Sequence, residues 1–305
     1  MINAAVIGLG AMGQHHVRVY KELGIEIAGV VDTDAERARE IGDEYAVPHY
    51  DDYRKLLRRV DIASIAVPTS IHKQVAVEFL RHKTHCLVEK PIASSVQEAE
   101  EMIKIANANK VKLMVGHIER FNPVMLKLKE LIDKGVLGKV MLISTRRVGP
   151  FQPRIRDVGI IIDSATHDID ATRFLLGKGP VDIYSKAGRF KHPSREDHAL
   201  IMLDFGDSAA SLEVNWFTPK KVRTLVATGS EGIAYLDYIK QELIIYNSRD
   251  ESHIKIEKAE PLKTEIAHFI SCVQNGTQPL VDGIEGLNTL KVALKASEIV
   301  RDIQS

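Results

Sequence analysis

The strongest constraint on the fold lies near the start of the chain, where a glycine-rich turn follows a short apolar segment. Gly8, Gly10 and Gly13 form the pattern Gly-x-Gly-x-x-Gly after the apolar residues 4–8 and at the start of a predicted helix. In a βαβ unit the first glycine permits a tight turn, the second lets a pyrophosphate approach the backbone, and the third lets helix and strand pack closely. The pyrophosphate then lies on free N–H groups at the positive end of the helix dipole. The pattern predicts a dinucleotide-binding turn.

An acidic residue follows this turn at the spacing that a dinucleotide requires. Asp32 ends the next apolar segment, 19 residues after Gly13, where a carboxylate can accept hydrogen bonds from both adenosine ribose hydroxyls. The same charge repels a ribose 2′-phosphate and favours NAD over NADP, although Arg37 and Arg39 stand close enough in sequence to offset it. The alternative is a turn that serves chain geometry alone, with Asp32 as a cap. The strand–turn–helix context disfavours that alternative.

The arrangement of apolar segments divides the 305 residues into two predicted domains, 1–119 and 120–305. Residues 1–119 alternate short Val- and Ile-rich segments with longer helical patterns, which is typical of parallel βαβ units in a doubly wound α/β fold. After residue 119 many short strands are joined by two to five turn-forming residues, the spacing of hairpins in an antiparallel sheet. The pattern predicts an N-terminal Rossmann domain followed by an α+β domain.

Composition restricts the class of partner. Lys plus Arg and Asp plus Glu both number 41, so no bulk charge favours a nucleic acid or an anionic membrane. No uncharged apolar segment is long enough to cross a bilayer, and no targeting segment is recognisable. The two cysteines, Cys86 and Cys272, lie far apart and suit a reducing compartment. We expect a soluble cytoplasmic protein that acts on a small molecule and binds neither nucleic acid nor membrane.

A predicted helix over residues 160–176 carries candidate catalytic side chains. At 3.6 residues per turn, Asp163, His167 and Asp170 fall within about 60° of one another, opposite an apolar stripe that must face the core. Oxidation of an alcohol requires a base for the hydroxyl proton, and a histidine with a carboxylate one turn away meets that need. The alternatives are a solvated polar face with a structural histidine, or a metal site of mixed Asp and His ligands. We predict no metal.

A second candidate is the tripeptide Glu89-Lys90-Pro91, which follows a predicted parallel strand. It lies at the sheet edge where ligands bind in open α/β folds. A lysine there can donate to the reacting oxygen and stabilise developing alkoxide charge. The proline excludes helix at Lys90 and allows a cis peptide bond that fixes the direction of the lysine. A solvent-exposed lysine after a strand is the ordinary alternative.

Four segments together resemble the Gfo/Idh/MocA family (glucose–fructose oxidoreductase, inositol dehydrogenase and MocA-like proteins), and the resemblance covers the whole chain. They are residues 4–13 (Ala-Ala-Val-Ile-Gly-Leu-Gly-Ala-Met-Gly), 66–72 (Ala-Val-Pro-Thr-Ser-Ile-His), 89–91 (Glu-Lys-Pro) and 163–170 (Asp-Ser-Ala-Thr-His-Asp-Ile-Asp). The resemblance implies a second domain with a large, open-faced, mainly antiparallel sheet. One face of such a sheet is free to pair with another subunit, so we expect a homo-oligomer, a dimer or a tetramer.

The resemblance also implies the site residues. The catalytic positions are Lys90, Asp163 and His167, and Ala165 stands where the family commonly has glycine, a change that adds only a methyl group. The positions implied for NAD binding are Gly8, Gly10, Ala11, Met12, Gly13, Asp32, Pro68, Thr69, His72, Glu89 and Lys90. Lys90 and His167 come from different predicted domains, so the expected site forms where the Rossmann sheet edge meets the 160–176 helix.

Within this family, residues 116–123 (Gly-His-Ile-Glu-Arg-Phe-Asn-Pro) resemble the UDP-N-acetylglucosamine 3-dehydrogenases and their uronic-acid relatives. A nucleotide-sugar diphosphate needs cationic side chains, and the candidates in or near the predicted cleft are Arg120, Arg146, Arg147, Arg154 and Arg156. The predicted substrate-binding residues are Arg120, Asn122, Arg154, Asp163 and His167. We expect an NAD-dependent dehydrogenase that oxidises the C3 hydroxyl of UDP-N-acetylglucosamine or a close UDP-sugar. The alternatives are a dehydrogenase of a free sugar or cyclitol, and a non-catalytic NAD-binding regulatory protein.

Overall fold

The computed structural model describes residues 2–151, 158–248 and 250–304, with the backbone alone for residues 300–304. The strands are β1 (Asn3–Ile7), β2 (Glu26–Val31), β3 (His49–Tyr50), β4 (Ile62–Ile65), β5 (His85–Glu89), β6 (Leu113–Gly116), β7 (Val140–Val148), β8 (Asp182–Gly188), β9 (His198–Asp204), β10 (Ala209–Asn215), β11 (Val222–Gly229), β12 (Gly232–Asp237), β13 (Glu242–Asn247) and β14 (Glu251–Ile254). The α-helices are α1 (Ala11–Glu22), α2 (Ala35–Tyr45), α3 (His72–Arg81), α4 (Val96–Asn109), α5 (Pro123–Asp133), α6 (Thr166–Leu176), α7 (Pro261–Asn275) and α8 (Gly283–Gln304). A π-helical segment, Ile161–Ala165, leads directly into α6.

The chain forms two units, one of residues 2–118 with Glu260–Leu290 and the other of Glu119–Ala259 with residues 291–304. The first contains a six-stranded sheet in the order β3-β2-β1-β4-β5-β6. Each neighbouring pair of strands is parallel, as in dinucleotide-binding doubly wound folds. Strands β4 and β6 are buried along their whole length, which their apolar sequences permit.

A local sequence signal fixes where helix α4 begins. The hydroxyl of Ser95 accepts a hydrogen bond from the Glu98 backbone N–H (3.2 Å), and the Glu98 carboxylate accepts one from the Ser94 N–H (3.1 Å). This reciprocal arrangement satisfies N–H groups at the start of α4 that have no partner within the helix. Ser95 is therefore the N-cap of α4.

Residues 260–290 differ from the expected domain division, which placed them in the second domain. In the structure α7 packs on α1, and its apolar side chains Ile266 and Phe269 are fully buried. The segment after it hydrogen-bonds to β6, because the Val115 N–H donates to the Val281 carbonyl at 2.9 Å. The apolar face of a helix does not reveal which sheet it covers, so the return of this segment could not be predicted.

The second unit contains an eight-stranded sheet in the order β14-β13-β12-β11-β7-β10-β9-β8. Strands β7 and β10 pair in parallel, and the other pairs are antiparallel. One face of the sheet joins a continuous apolar core with α5 and α6. The prediction of a parallel Rossmann sheet followed by a large, mainly antiparallel sheet is confirmed.

The opposite face of the eight-stranded sheet carries large apolar side chains that remain exposed. On β9 they alternate with the buried core residues, as the two-residue period of a strand requires. The exposed set includes Met141, Leu142, Tyr184, Leu200, Met202 and Tyr235. Within the described ranges, no helix combines the length and the apolar character needed to span a bilayer.

Candidate active site

The glycine turn between β1 and α1 has the geometry that its sequence predicts. Gly8 has φ +89°, a conformation that side chains disfavour, and a Cβ there would lie 2.6 Å from the Ala66 carbonyl oxygen. A Cβ at Gly13 would overlap the Gly8 carbonyl oxygen. These two glycines therefore serve the chain itself, because they allow the turn and the close packing of α1 on the turn.

Gly10 differs from its two neighbours in the motif. A Cβ at this position would meet no atom within 4 Å, so the fold does not need glycine here. Gly10 is the N-cap of α1 and has no side chain to cover the first N–H groups of the helix. Ala11 and Met12, which follow, are exposed and partly exposed. The turn thus leaves open backbone at a helix N terminus, and this arrangement fits a pyrophosphate.

Asp32 lies directly beside the glycine turn. Its carboxylate accepts hydrogen bonds from the backbone N–H of Leu9 (2.8 Å) and of Asp34 (2.9 Å). The guanidinium of Arg37 lies 3.6 Å from the same carboxylate and is 45% exposed. The Asp32 carboxylate is therefore held beside the glycine turn, and Arg37 is a cation next to it.

His72 joins two loops at the carboxyl ends of the strands. Its ring nitrogens lie 3.0 Å from the carbonyl oxygen of Pro91 and 2.9 Å from that of Val67. Burial lowers the pKa of His72, against the opposing effect of the two carbonyl groups. The histidine thereby fixes Pro68, which is exposed, and Thr69, which is partly exposed, beside the loop that follows β5. Both of these contacts of its ring are with backbone carbonyl groups.

Lys90 is half-buried at the end of β5, and the bond between Lys90 and Pro91 is cis. The residue before it, Glu89, has a 12% exposed side chain that lies 2.9 Å from the Nε2 atom of buried His16. Burial opposes ionisation of Glu89, but the His16 hydrogen bond and the nearby charges of His16 and Lys90 hold the pKa of its carboxyl below the ordinary value. A Cβ at Gly116 would lie 3.2 Å from the Glu89 carboxylate. Glu89 is thus fixed in place within the first unit.

A buried polar network extends from Glu89 into the core. The second ring nitrogen of His16 lies 3.0 Å from the Ser64 hydroxyl, which is 2.8 Å from the Tyr20 hydroxyl. Glu265 on α7 is fully buried, and neither carboxyl oxygen has a hydrogen-bond partner among the described residues. Burial, and secondarily the charge of Glu89, raises the pKa of Glu265 well above its ordinary value. Burial therefore favours the protonated form of the Glu265 carboxyl.

The helix predicted over residues 160–176 is present, but its first turn is π-helical. In this turn Asp163 and Ser164 are partly exposed, and the Ser164 hydroxyl donates to the Asp163 carboxylate at 3.0 Å. His167, at the start of α6, is also partly exposed. The fully buried Ile161, Ala165 and Ile169 form the predicted core stripe. π-Helical segments are frequent at functional sites.

Asp170 does not share the accessible side with Asp163 and His167. It is 1% exposed and accepts two hydrogen bonds from the Arg120 guanidinium, each 2.7 Å long. Arg120 is 3% exposed and also lies over the Phe174 ring, 5.1 Å from its centroid. The prediction that Arg120 binds a substrate phosphate is not supported by this arrangement, because its planar fork is occupied by a buried carboxylate.

Asn122 also has a local role. Its side-chain oxygen accepts a hydrogen bond from the Val124 N–H (3.4 Å), and its amide donates to the Tyr238 carbonyl (3.2 Å). It is the N-cap of α5, and Pro123 occupies the first turn. This explains the residue without a substrate, because Asn is a favoured N-cap and Pro a favoured first helical residue.

The remaining candidate arginines divide into three groups. Arg147 is buried and donates to Asp168 (3.1 and 3.2 Å) and Glu119 (2.9 Å). Burial opposes its charge, but these two carboxylates raise its pKa above the ordinary value. Arg146 points to the other face of the sheet and pairs with exposed Glu213. Arg154 and Arg156 lie outside the described residues.

The buried polar residues His16, Ser64 and Glu265 were not identified from the sequence. The signal for His16 is present in retrospect, because Gly13, His16, Val17 and Tyr20 recur at helical spacing along the buried side of α1. Ser64 and Glu265 have no such local signal. No set of three or more His, Cys, Asp or Glu side chains suited to a metal ion occurs in the described part of the chain.

Comparison with known proteins agrees with this geometry. Residues 2–117 match the oxidoreductase family described as Gfo/Idh/MocA with an NAD-binding Rossmann fold, and residues 125–235 match the Gfo/Idh/MocA C-terminal domain. The UDP-N-acetylglucosamine 3-dehydrogenase of Acidithiobacillus ferrooxidans is 29% identical over 96% of this chain and 96% of that protein. The scyllo-inositol 2-dehydrogenase (NAD(+)) of Bacillus subtilis is 28% identical over 99% of this chain and 94% of that protein.

Solved structures give the same result. The structure of the Acidithiobacillus ferrooxidans UDP-N-acetylglucosamine 3-dehydrogenase aligns with a TM-score of 0.93 and 28% identity, over 100% of this chain and 99% of that one. Levoglucosan dehydrogenase in complex with NADH aligns with a TM-score of 0.89 over 99% and 97% of the two chains, and at 18% identity it shows the shared fold alone. With both domains matched in order, the chain belongs to the Gfo/Idh/MocA family of NAD-binding oxidoreductases.

Proposed function

We propose that this protein is an NAD-dependent dehydrogenase that oxidises the C3 hydroxyl of UDP-N-acetylglucosamine, or of a close UDP-sugar, to the 3-keto sugar. The observation that carries the proposal is the exposure pattern of the helix at residues 161–170. Its buried acids are held by arginines, whereas Asp163 and His167 remain accessible. The similarity to a UDP-N-acetylglucosamine 3-dehydrogenase over nearly the whole chain supports this choice of substrate.

Each of the proposed site residues has a separate role in cofactor binding or in catalysis. Gly8, Gly10, Ala11, Met12, Gly13 and Asp32 would hold NAD, with Pro68, Thr69, His72 and Glu89 shaping the loops at the strand ends. The bound cofactor supplies the acceptor for the hydride that leaves the alcohol carbon. His167 takes the hydroxyl proton, Asp163 orients the substrate or the histidine, and Lys90 stabilises the alkoxide charge as it develops. One hydride and one proton leave the alcohol, which balances its conversion to a ketone.

A second candidate function is oxidation of a free sugar or cyclitol. The relative that favours it is the scyllo-inositol 2-dehydrogenase, which is almost as similar as the nucleotide-sugar enzyme. The two candidate functions differ in whether an anionic nucleotide is bound. NADH formation with UDP-N-acetylglucosamine, N-acetylglucosamine and scyllo-inositol as substrates separates them. Binding of cofactor without turnover of any substrate in that panel would instead support a non-catalytic regulatory protein.

We also propose a homo-oligomer that uses the exposed face of the eight-stranded sheet. Leu142 on β7 and Leu200 on β9 are 56% and 59% exposed on this face. Large exposed apolar side chains on one sheet face are typical of association sites in proteins. Light scattering of the purified chain, repeated with Leu200→Glu, tests whether this face holds subunits together.

The catalytic assignment is tested by Lys90→Met and His167→Asn. Each should lower kcat by roughly 100-fold or more, because each removes acid–base or electrostatic assistance, while the Kd for NAD stays within about threefold. Lys104→Met and His253→Asn change exposed residues of the same types on α4 and β14 and serve as controls. Near-normal turnover of His167→Asn across the pH range would show that the 161–176 helix has only a structural role.

A further inference from the structure

The start of β11 places two cations beside the buried charges of the second unit. Arg223 on β11 lies directly opposite Arg147 on β7 in an antiparallel pair, so their side chains share one face of the sheet. Lys221 extends the strand by one residue, and a Cβ added at Gly149 would lie 3.8 Å from the Lys221 Cα. Lys221 and Arg223 alternate with Val222, so they project to the same side. We call these two residues the β11 cation pair.

The carboxylates next to this pair are already engaged. Glu119 and Asp168 both accept hydrogen bonds from Arg147. Arg223 approaches Glu119 only to 3.6 Å, beyond hydrogen-bond distance, and remains 35% exposed. Arg223 therefore interacts with Glu119 more weakly than Arg147 does. The N–H donors of Arg223 remain available to another anion.

The positive charge of Lys221 is balanced even less by neighbouring acids than that of Arg223. It is exposed, and it forms no ion pair within 4.0 Å with any acid in the described ranges of the chain. The charge of Arg223, followed by burial and the charge of Arg147, lowers the pKa of Lys221 below its ordinary value. The positive charges of Lys221 and Arg223 repel one another, and the repulsion is stronger where little water separates them. A bound anion would remove that repulsion.

The β11 cation pair also lies near the candidate catalytic helix. The pKa of Arg223 is lowered by burial and by Arg147, and Asp163 is one of the carboxylates whose charge opposes this shift. Arg147, which lies opposite Arg223, also donates to Asp168 on α6, so the pair lies on the face of the eight-stranded sheet that this helix covers. The same helical segment carries the accessible Asp163 and His167.

We propose that Lys221 and Arg223 bind the diphosphate of a nucleotide-sugar substrate, an inference that rests on the proposed function. They take the role that the sequence pattern predicts for Arg120. An exposed lysine and a half-exposed arginine side by side offer a point charge and a planar fork, and both groups bind phosphate oxygens well. Both carboxylates next to the pair are hydrogen-bonded to Arg147. Arg223 itself has only the 3.6 Å ion pair with Glu119, so binding a diphosphate does not require either cation to give up a hydrogen bond to an acid among the described residues.

The test measures binding of UDP, without a sugar, to the full-length protein by calorimetry. Lys221→Met and Arg223→Met should each raise the Kd for UDP at least tenfold, as expected for loss of a charged hydrogen bond. Lys220→Met and Arg146→Met are matched controls, because Lys220 is exposed on the same loop and Arg146 pairs with Glu213 on the opposite face. The controls should change the Kd less than twofold, and the Kd for NAD should not change in any variant.

Two results would overturn the inference: no binding of UDP to the unaltered protein at millimolar concentration, or unchanged binding in the double variant. Steady-state rates separate this failure from failure of the proposed function. If UDP-N-acetylglucosamine is oxidised and its KM is the same in the double variant, the dehydrogenase function holds and the diphosphate site is elsewhere. If UDP binding depends on the pair but no sugar is oxidised, the anion site stands and the dehydrogenase proposal fails.

Discussion

Replacement of Arg120 gives the sharpest test of how charges are arranged in the second unit. The sequence suggests a phosphate ligand, whereas the structure shows a buried bidentate pair with Asp170, both side chains being at most 3% exposed. Arg120→Met leaves the Asp170 carboxylate buried without its counter-charge. Loss of one partner from such a pair typically costs about 3–5 kcal/mol. The variant should therefore be strongly destabilised.

Urea denaturation can measure this loss of stability in the second unit. Trp216 is the only tryptophan of the chain and is buried in the second unit's core, so its fluorescence reports on that unit. At about 2.5 kcal/mol per molar urea, a loss of 3–5 kcal/mol lowers the midpoint by about 1–2 M. The double variant Arg120→Met/Asp170→Leu should regain part of the loss, because no lone charge remains buried.

Arg146→Met provides the control, since its pair with Glu213 is exposed and such pairs contribute at most about 1 kcal/mol. The structural reasoning is refuted if Arg120→Met keeps the wild-type midpoint and instead raises the KM for UDP-N-acetylglucosamine tenfold. That outcome would restore Arg120 as a phosphate ligand. A lowered midpoint with an unchanged KM in the folded fraction supports the buried pair.

The first unit allows three further tests. Gly10→Ala should leave the melting temperature nearly unchanged, because its Cβ meets no atom within 4 Å, yet weaken NAD binding about tenfold by covering the helix N terminus. Gly13→Ala should instead destabilise the fold, since its Cβ overlaps a backbone carbonyl; equal effects of the two changes on NAD affinity and melting would contradict this division. Calorimetry should show NAD(H) binding at least tenfold more tightly than NADP(H), a preference that Asp32→Ser should reduce; equal affinities would mean that Arg37 neutralises the 2′-phosphate. Glu265 has a raised pKa in the folded state, so its contribution to stability is full below the ordinary glutamate pKa and is lost as pH rises through the folded value, by up to about 1.4 kcal/mol per pH unit. Glu265→Gln should therefore gain stability relative to wild type between pH 5 and pH 8 in urea titrations followed by circular dichroism, and parallel pH profiles would show that the carboxyl is ionised in the fold.

The features that could be predicted from sequence are those encoded by neighbouring residues. The glycine turn and the apolar pattern of the buried strands both arise within a few residues of the chain, so their sequence patterns were sufficient. Strand β3 was not predicted because its two residues are too few to show a period. The edge strand β14 (Glu251–Ile254) has only one neighbouring strand to fix its register.

The features that could not be predicted depend on partners far along the chain. Arg120 and Asp170 are 50 residues apart, and Arg147 and Asp168 are 21 apart. Nothing near an arginine in sequence distinguishes a buried ion pair from a free phosphate ligand. The same limit applies to Glu89 and His16, which are 73 residues apart in sequence although their side chains lie 2.9 Å apart in the fold.

The division of charges along the 161–176 helix follows from these distant pairs. Asp168 and Asp170 point to different sides of α6, and each is held by an arginine from another element. These two ion pairs prevent the helix from rotating about its axis. A π-helical segment carries one residue more than an α-helix of the same length, and one inserted residue turns the preceding chain by about 100°. Because Arg147 and Arg120 hold α6 in place, this rotation changes the direction of the side chains before residue 166 and leaves those of α6 unchanged. The insertion therefore sets the direction of Asp163 independently of the anchored acids. This explains how a helix with four ionisable side chains in eight residues can use two of them to hold its position and leave Asp163 and His167 accessible for chemistry.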